Sequence, residues 1–285
     1  MFTIQRIEKK EIFEKKTLVS KYMRLKFFFM TYSNPALAGR TYENTIRSRL
    51  KGSFKNLPRS AGFGSGPDLV IPSANTPSER MLVEIKTSTG ADFGQKAVTF
   101  NGSTWIPKIT GKEPAGIVEL YNKLYSDFNV GSQIASLWKL PNENLTGDDL
   151  VKIIEDDNLS SVLYNEKLLV ESTGERNPFP TRKIASGKNV VNAIRTYYIS
   201  KGVNYIQIKG SGFYILGNDV NNLNTKLGIK IPMFNPSSAD LVIRGKPSNS
   251  QRTYRPTLTL KSSTVQPSRY NLENRKFIQS LYDNL

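Results

Sequence analysis

The sequence predicts an α/β chain of the α+β kind, in which helices flank β-structure and the C-terminal part is rich in strands. Three observations carry this expectation. Ile117, Leu120, Tyr121, Leu124, Tyr125 and Phe128 recur at i, i+3, i+4 and i+7, the period of a helix with one apolar face. Short apolar runs at 69–71 and 81–85 are bounded by polar turn residues, as strands are. Runs at 205–208 and 213–216 flank Lys209-Gly210-Ser211-Gly212, a hairpin signal, and 241–244 with 257–261 read as a second strand pair.

In chain order, residues 4–30 mix apolar with Lys, Arg and Glu positions and read as helix. Residues 34–39 read as a turn. Residues 41–50 form a helix with Tyr42, Ile46 and Leu50 on one face. Gly, Ser and Pro make 52–67 a loop, and 73–78 is a polar turn joining the first two strands. Residues 90–114 read as irregular, with several glycines and Trp105. Thr146 and Asp149 sit as a capping box opening a helix over 146–157. Residues 171–180 read as a linker. A helix over 189–200 stops at Lys201-Gly202. No solenoid repeat is present.

With 285 residues, 38 % hydrophobic and 22 % charged, the chain has length and composition for a sizeable core. It has no cysteine, which excludes disulfides, thiolate metal sites and cysteine nucleophiles and fits a cytoplasmic protein. It has no histidine either, which excludes Ser-His-Asp triads and imidazole bases. Acid–base or metal chemistry must rest on Asp, Glu, Lys and Tyr, and oxygen-only ligands suit Mg²⁺ or Mn²⁺ rather than zinc. The apolar run Phe27-Phe28-Phe29-Met30 is far shorter than the ~20 residues of a membrane span. A soluble cytoplasmic protein of bacterial, phage or viral origin, without a membrane partner, is the expectation.

The net charge of +16 is unevenly placed. Residues 1–60 carry 14 basic and 4 acidic side chains, 61–142 seven of each, 143–171 two basic and eight acidic, and 172–285 17 basic and five acidic. The chain divides on this basis into residues 1–142, an acidic connector at 143–171, and a basic region at 172–285. Basic segments on either side of a neutral one suit a polyanion held over an acidic floor; the plainer alternative is a solvated basic surface.

The neutral segment contains Pro67-Asp68-Leu69-Val70-Ile71 and then Leu82-Val83-Glu84-Ile85-Lys86-Thr87. Glu84 and Lys86, two apart on a strand, share a face, while Val83 and Ile85 take the other. Asp68 opens the neighbouring strand. Two carboxylates from adjacent strands can share a divalent cation that binds a phosphate oxygen and activates water. Lys86 can orient or deprotonate that water, or stabilise the charge that grows on phosphate. The alternative is an ordinary Glu/Lys pair at a strand edge.

Pro67-Asp68…Glu84-Ile85-Lys86 resembles the signature of the PD-(D/E)XK nuclease superfamily, which includes many type II restriction endonucleases. The resemblance, specific over about residues 35–100, implies a core with a mixed central sheet and a helix on each side. It implies Mg²⁺-dependent hydrolysis of DNA phosphodiesters, with Mn²⁺ as a substitute. It assigns Asp68 and Glu84 as metal ligands, Lys86 as the catalytic lysine and Glu43, on the preceding helix, as a supporting acid. Glu43 can instead pair with Arg47 at i, i+4. Gln95 and Lys96 follow, as contacts to the DNA backbone or as loop residues. The type II reading implies cleavage of double-stranded DNA at a short sequence by a homodimer, since a palindrome suits two-fold symmetry, and a DNA methyltransferase acting on the same site.

A near-copy follows: Ala239-Asp240-Leu241-Val242-Ile243-Arg244, then Thr257-Leu258-Thr259-Leu260-Lys261. Thr259 stands where the second carboxylate belongs, and a hydroxyl is a poor Mg²⁺ ligand, so the first motif is the expected site. Arg244, Lys246, Arg252, Arg255 and Lys261 make this region basic, suited to guanine edges and phosphates alike. Each has the alternative of a solvated surface charge. Two rivals stand beside the restriction-enzyme reading: a structure-specific or DNA-repair nuclease, and a non-catalytic DNA-binding protein with a vestigial nuclease core.

Overall fold

The computed structural model describes residues 35–55, 57–58, 66–73, 75–76, 78–100, 105–137, 181–248 and 253–285. The chain divides into two units, residues 1–41 and 42–285, and of the first only the opening of one helix is described. The helices expected at 4–30 and 146–157, the acidic connector, the linker at 171–180 and Arg252 lie outside the described residues.

One four-stranded sheet carries the first motif. β1 (Leu69–Pro72) and β2 (Arg80–Lys86) pair antiparallel, with Leu69 opposite Val83. β6 (Tyr205–Ile208) runs parallel to β2, with Glu84 opposite Ile206 and Lys86 opposite Ile208. β7 (Gly212–Ile215) returns antiparallel beside β6, giving the order β1-β2-β6-β7. This sheet is therefore mixed. A parallel neighbour requires a crossover, and its last leg is helix α4 (Lys188–Ser200). Gly212 is required in the β6–β7 hairpin. Its φ is +113°, and a Cβ there would lie 2.6 Å from the Ser268 carbonyl oxygen and 2.7 Å from that of Tyr270.

Alternation along these strands fills two cores. Val83, Ile85, Leu69, Ile71, Tyr205 and Phe213 pack with Tyr42, Ile46 and Leu50 of α1 (Pro35–Leu50) and with Phe277, Ile278 and Leu281 of the C-terminal helix α6 (Arg275–Asn284). On the other face, Ile206, Ile208 and Tyr214 join Val190, Val191, Ile194 and Tyr198 of α4 and Ile117, Tyr121 and Leu124 of α2 (Ala115–Asp127). The second core also receives a five-stranded antiparallel sheet, order β4-β3-β9-β8-β5, built from β3 (Asp92–Phe100), β4 (Trp105–Pro107), β5 (Arg182–Ser186), β8 (Ala239–Ser248) and β9 (Thr253–Ser262). The short helices α3 (Val130–Leu137) and α5 (Leu223–Lys226) complete the described elements. Among the described residues no helix is long and apolar enough to cross a membrane.

The mixed α/β class is as expected, with a second sheet added. Each sheet draws strands from both sides of residues 138–180, so segments 1–142 and 172–285, separated by charge, are woven together in the fold. Residues 90–114, expected to be irregular, contain β3 and β4. Gly94 reads as a loop residue but lies in β3, beside a register shift, because the packing leaves no room: a Cβ there would sit 3.2 Å from Leu260, Tyr121 and Tyr197 side-chain atoms. The turn expected at 34–39 is helical from Pro35, since proline at the first helical position lacks only an N–H that would be unpaired anyway. Helix α6 was not expected; Asn274 caps it, its side chain accepting from the N–H groups of Lys276 and Phe277.

Candidate active site

The register Leu69–Val83 sets Asp68, one residue before β1, beside Glu84. Asp68 Oδ2 accepts a hydrogen bond from the Ile85 N–H at 2.9 Å, so the carboxylate of one strand is tied to the backbone of the next. Arg47 of α1 donates to the Pro58 carbonyl at 2.6 Å and the Asp68 carbonyl at 3.0 Å, which fixes the approach to β1. Because Val83 and Ile85 fill the α1–α6 core, Glu84 and Lys86 face the side occupied by α4.

Glu84 is 4 % exposed. Its Oε1 accepts from Lys86 Nζ at 2.7 Å. Its Oε2 is fully buried and accepts no hydrogen bond. Lys201 Nζ lies 3.9 Å from that oxygen, which is too long for a hydrogen bond. Lys86 Nζ and Lys201 Nζ each lie 5.7 Å from the Tyr198 ring centre, and Lys201 lies 5.6 Å from that of Tyr197, within cation–π range.

The electrostatics follow from this crowding. Burial, and next the charge of Glu84, push the Asp68 carboxyl up to about 7; Lys86 and the Ile85 N–H oppose the rise, and Glu43 adds to it. Burial pulls the Lys86 ammonium down, but Glu84 and Asp68 more than offset that, so the group lies above the ordinary lysine value. Lys86 is therefore an ammonium near neutral pH. This favours the charge-stabilising role over that of a base. Burial, then Glu84, also raises the Tyr197 and Tyr198 hydroxyls.

The structure thus brings together Asp68, Glu84 and Lys86, with Glu43 close enough to act on Asp68 through its charge. The other candidates sit elsewhere. Lys96 is 3 % exposed and ion-paired with Glu113, which corrects its reading as a DNA contact: a buried, neutralised lysine does not meet a polyanion at the surface. Gln95, Arg244 and Lys261 converge on Asp92. Gln95 and Arg244 donate to its carboxylate, and Lys261 Nζ lies 3.9 Å away. Lys246 and Arg255 are opposed by register on β8 and β9, and their side chains lie outside the described part. In the near-copy, Asp240 pairs with Lys183 at 2.9 Å and stands opposite Lys261, while buried Thr259 stands opposite Val242. The near-copy therefore does not place two acids side by side.

Sequence reasoning missed Lys201, Tyr197 and Tyr198. The helix stop at Lys201-Gly202 was legible. What places these residues over Glu84 is the parallel pairing of β6 with β2, which carries no local signal.

Two carboxylates fit a Mg²⁺ ion, which commonly takes one or two protein carboxylates and completes its shell with water and phosphate oxygens. Among the described residues no cluster of three or more Asp, Glu, His or Cys side chains is present, so any such ion would rely on that minimal set. The buried, hydrogen-bond-free Glu84 Oε2 is the observation that favours the fit. Compared with family models, curated proteins and solved structures, the chain matches none.

Proposed function

We propose that this chain is a Mg²⁺-dependent, sequence-specific endonuclease that hydrolyses phosphodiester bonds of double-stranded DNA, in the manner of a type II restriction endonuclease. The observation that carries this is the meeting of Asp68 with Glu84 and Lys86 on one face of a buried strand pair, with Glu84 Oε2 left without a donor. Burial, and next the charge of Glu84, lift Asp68 to about 7, which is unfavourable as structure; strongly perturbed groups of this kind cluster at functional sites.

In this reading Asp68 and Glu84 hold the Mg²⁺, or a substituting Mn²⁺. The ion would supply Lewis acidity toward phosphate oxygens and water. Lys86, kept protonated by the two acids, stabilises the negative charge that grows on the scissile phosphate. The Ile85 N–H holds the Asp68 carboxylate in place, and Glu43 supports it from α1. The net charge of +16 attracts the DNA backbone. The reading extends to a homodimer acting on both strands and to a methyltransferase protecting the same sequence.

The test is digestion of a sequenced phage genome in Mg²⁺, followed by sequencing of the ends. Discrete fragments with a common end sequence are the expected result. Nicks or cuts that follow junctions or mismatches would move the assignment to a structure-specific nuclease. No cleavage in either Mg²⁺ or Mn²⁺ would overturn the enzymatic reading and leave a DNA-binding protein.

A further inference from the structure

Lys201 is delivered to Glu84 by the fold. Helix α4 ends at Ser200, and Gly202, with φ +76°, turns the chain out of it while the Val203 N–H bonds the Tyr198 carbonyl at 2.9 Å. Three residues later β6 begins, parallel to β2. A connection this short leaves Lys201 over the face of β2 that holds Glu84 and Lys86. Its side chain is only 9 % exposed, lodged against the rings of Tyr197 and Tyr198.

The two lysines treat Glu84 differently. Lys86 closes on Oε1 at 2.7 Å. Lys201 stays 3.9 Å from Oε2, an oxygen that accepts no hydrogen bond. It faces the Glu84 oxygen that accepts no hydrogen bond and does not close on it. With both acids ionised, as metal ligation requires, Asp68 and Glu84 bring two negative charges, and Lys86 and Lys201 two positive ones. A divalent cation entering here would therefore meet a locally neutral site and leave it strongly positive; Glu43, acting on Asp68 from further off, offsets part of that. In a desolvated site such an excess is repulsive. A phosphodiester lowers it by bringing one negative charge.

We infer that Lys201 makes divalent-cation binding at Asp68 and Glu84 conditional on a DNA phosphate, so that the hydrolytic centre assembles only on its substrate. The inference rests on the metal reading of the pair given above. Lys201 is a positioning residue here: it acts through the charge it sets at Glu84. Coupling of this kind is reciprocal, so the cation must tighten DNA binding by the same factor that DNA tightens cation binding.

The experiment is a titration of the full-length protein with Mn²⁺, read from the electron paramagnetic resonance of the free ion, with and without random-sequence duplex DNA. Wild type should bind Mn²⁺ weakly alone and roughly tenfold or more tightly with DNA. Lys201→Met, neutral and able to pack on the tyrosines, should tighten DNA-free Mn²⁺ binding by roughly tenfold and lose most of the DNA effect. Lys201→Arg, which keeps the charge, should retain the wild-type pattern; Lys201→Gln serves in place of the Met variant if that one does not fold. Unchanged or weaker DNA-free binding in the folded neutral variant would overturn the inference while leaving the metal reading intact. Absence of Mn²⁺ binding in wild type, with or without DNA, would overturn both.

Discussion

Replacing Asp68 with asparagine should stabilise the metal-free protein at alkaline pH and abolish its cleavage activity. Moving a carboxyl from 3.8 to about 7 sets about 4 kcal/mol against its ionised form. Below about pH 3 the folded and unfolded chains both largely keep the proton, and wild type loses little. Between about pH 4 and 7 the folded protein holds a proton that the unfolded chain releases, so wild-type stability falls as pH rises through that window. Above pH 7 both forms are ionised and the full penalty applies. Asparagine is neutral throughout, and its carbonyl can still accept from the Ile85 N–H. Allowing for the partial exposure of Asp68 and the unpaired amide of the variant, about half of the penalty is recovered, roughly 2 kcal/mol. That corresponds to a Tm about 4–8 °C above wild type at pH 8 and little difference at about pH 3. Differential scanning calorimetry at the two pH values, in the presence of a chelator, reads this directly. Added Mg²⁺ should raise the wild-type Tm and leave that of the variant unmoved. A variant destabilised equally at both pH values would refute the reasoning, because Asp68 would then be a stabilising ion rather than a strained one.

Further outcomes follow from the same geometry. Lys86→Ala should lower the cleavage rate by at least about 100-fold, as loss of a charge-stabilising group does, with duplex affinity in a gel-shift assay nearly unchanged. Lys261→Ala, which releases only a part-exposed partner of Asp92, should cost less than about 1 kcal/mol in urea unfolding and leave cleavage intact; the reverse pattern would place the site in the near-copy. Gly212→Ala should destabilise the fold by about 3 kcal/mol or more in urea, because the new Cβ would strike two backbone oxygens at a positive φ. Duplex affinity should fall linearly on a log–log plot against salt; a flat response would remove the basic surface from the binding account.

The parts of this fold legible in the sequence are those with local causes. The polar turn at 73–78 between two apolar runs sets β1 against β2 and so brings Asp68 to Glu84. The glycines at 210 and 212 mark the β6–β7 hairpin, and Lys201-Gly202 marks the end of α4. The illegible parts depend on partners distant in the chain. The pairing of Lys86 with Ile208 joins residues more than a hundred positions apart. Gly94 looks like a loop residue until Tyr121, Tyr197 and Leu260 are seen to fill the space around it. Lys96, by composition an exposed cation, is buried because β3 turns it inward against Glu113.

The two acidic motifs differ most in how their charges are answered. In the five-stranded sheet Asp240 pairs with Lys183 and Arg244 with Asp92, and Lys261 stands as far from Asp92 as Lys201 does from Glu84, 3.9 Å, but with both groups part exposed. These pairs are part exposed, and such pairs contribute little and perturb little. In the four-stranded sheet the answers are incomplete. Lys86 covers one oxygen of Glu84, Lys201 stops short of the other, and Asp68 is left with a carboxyl near 7. A structural role is served better by the first arrangement, since part-exposed neutralised pairs carry no strain. The second is unfavourable for the metal-free protein at neutral pH, and a divalent cation of the kind proposed would relieve it. That asymmetry, rather than the missing carboxylate at Thr259 alone, is the physical reason the proposed chemistry is assigned to the space between β1 and β2.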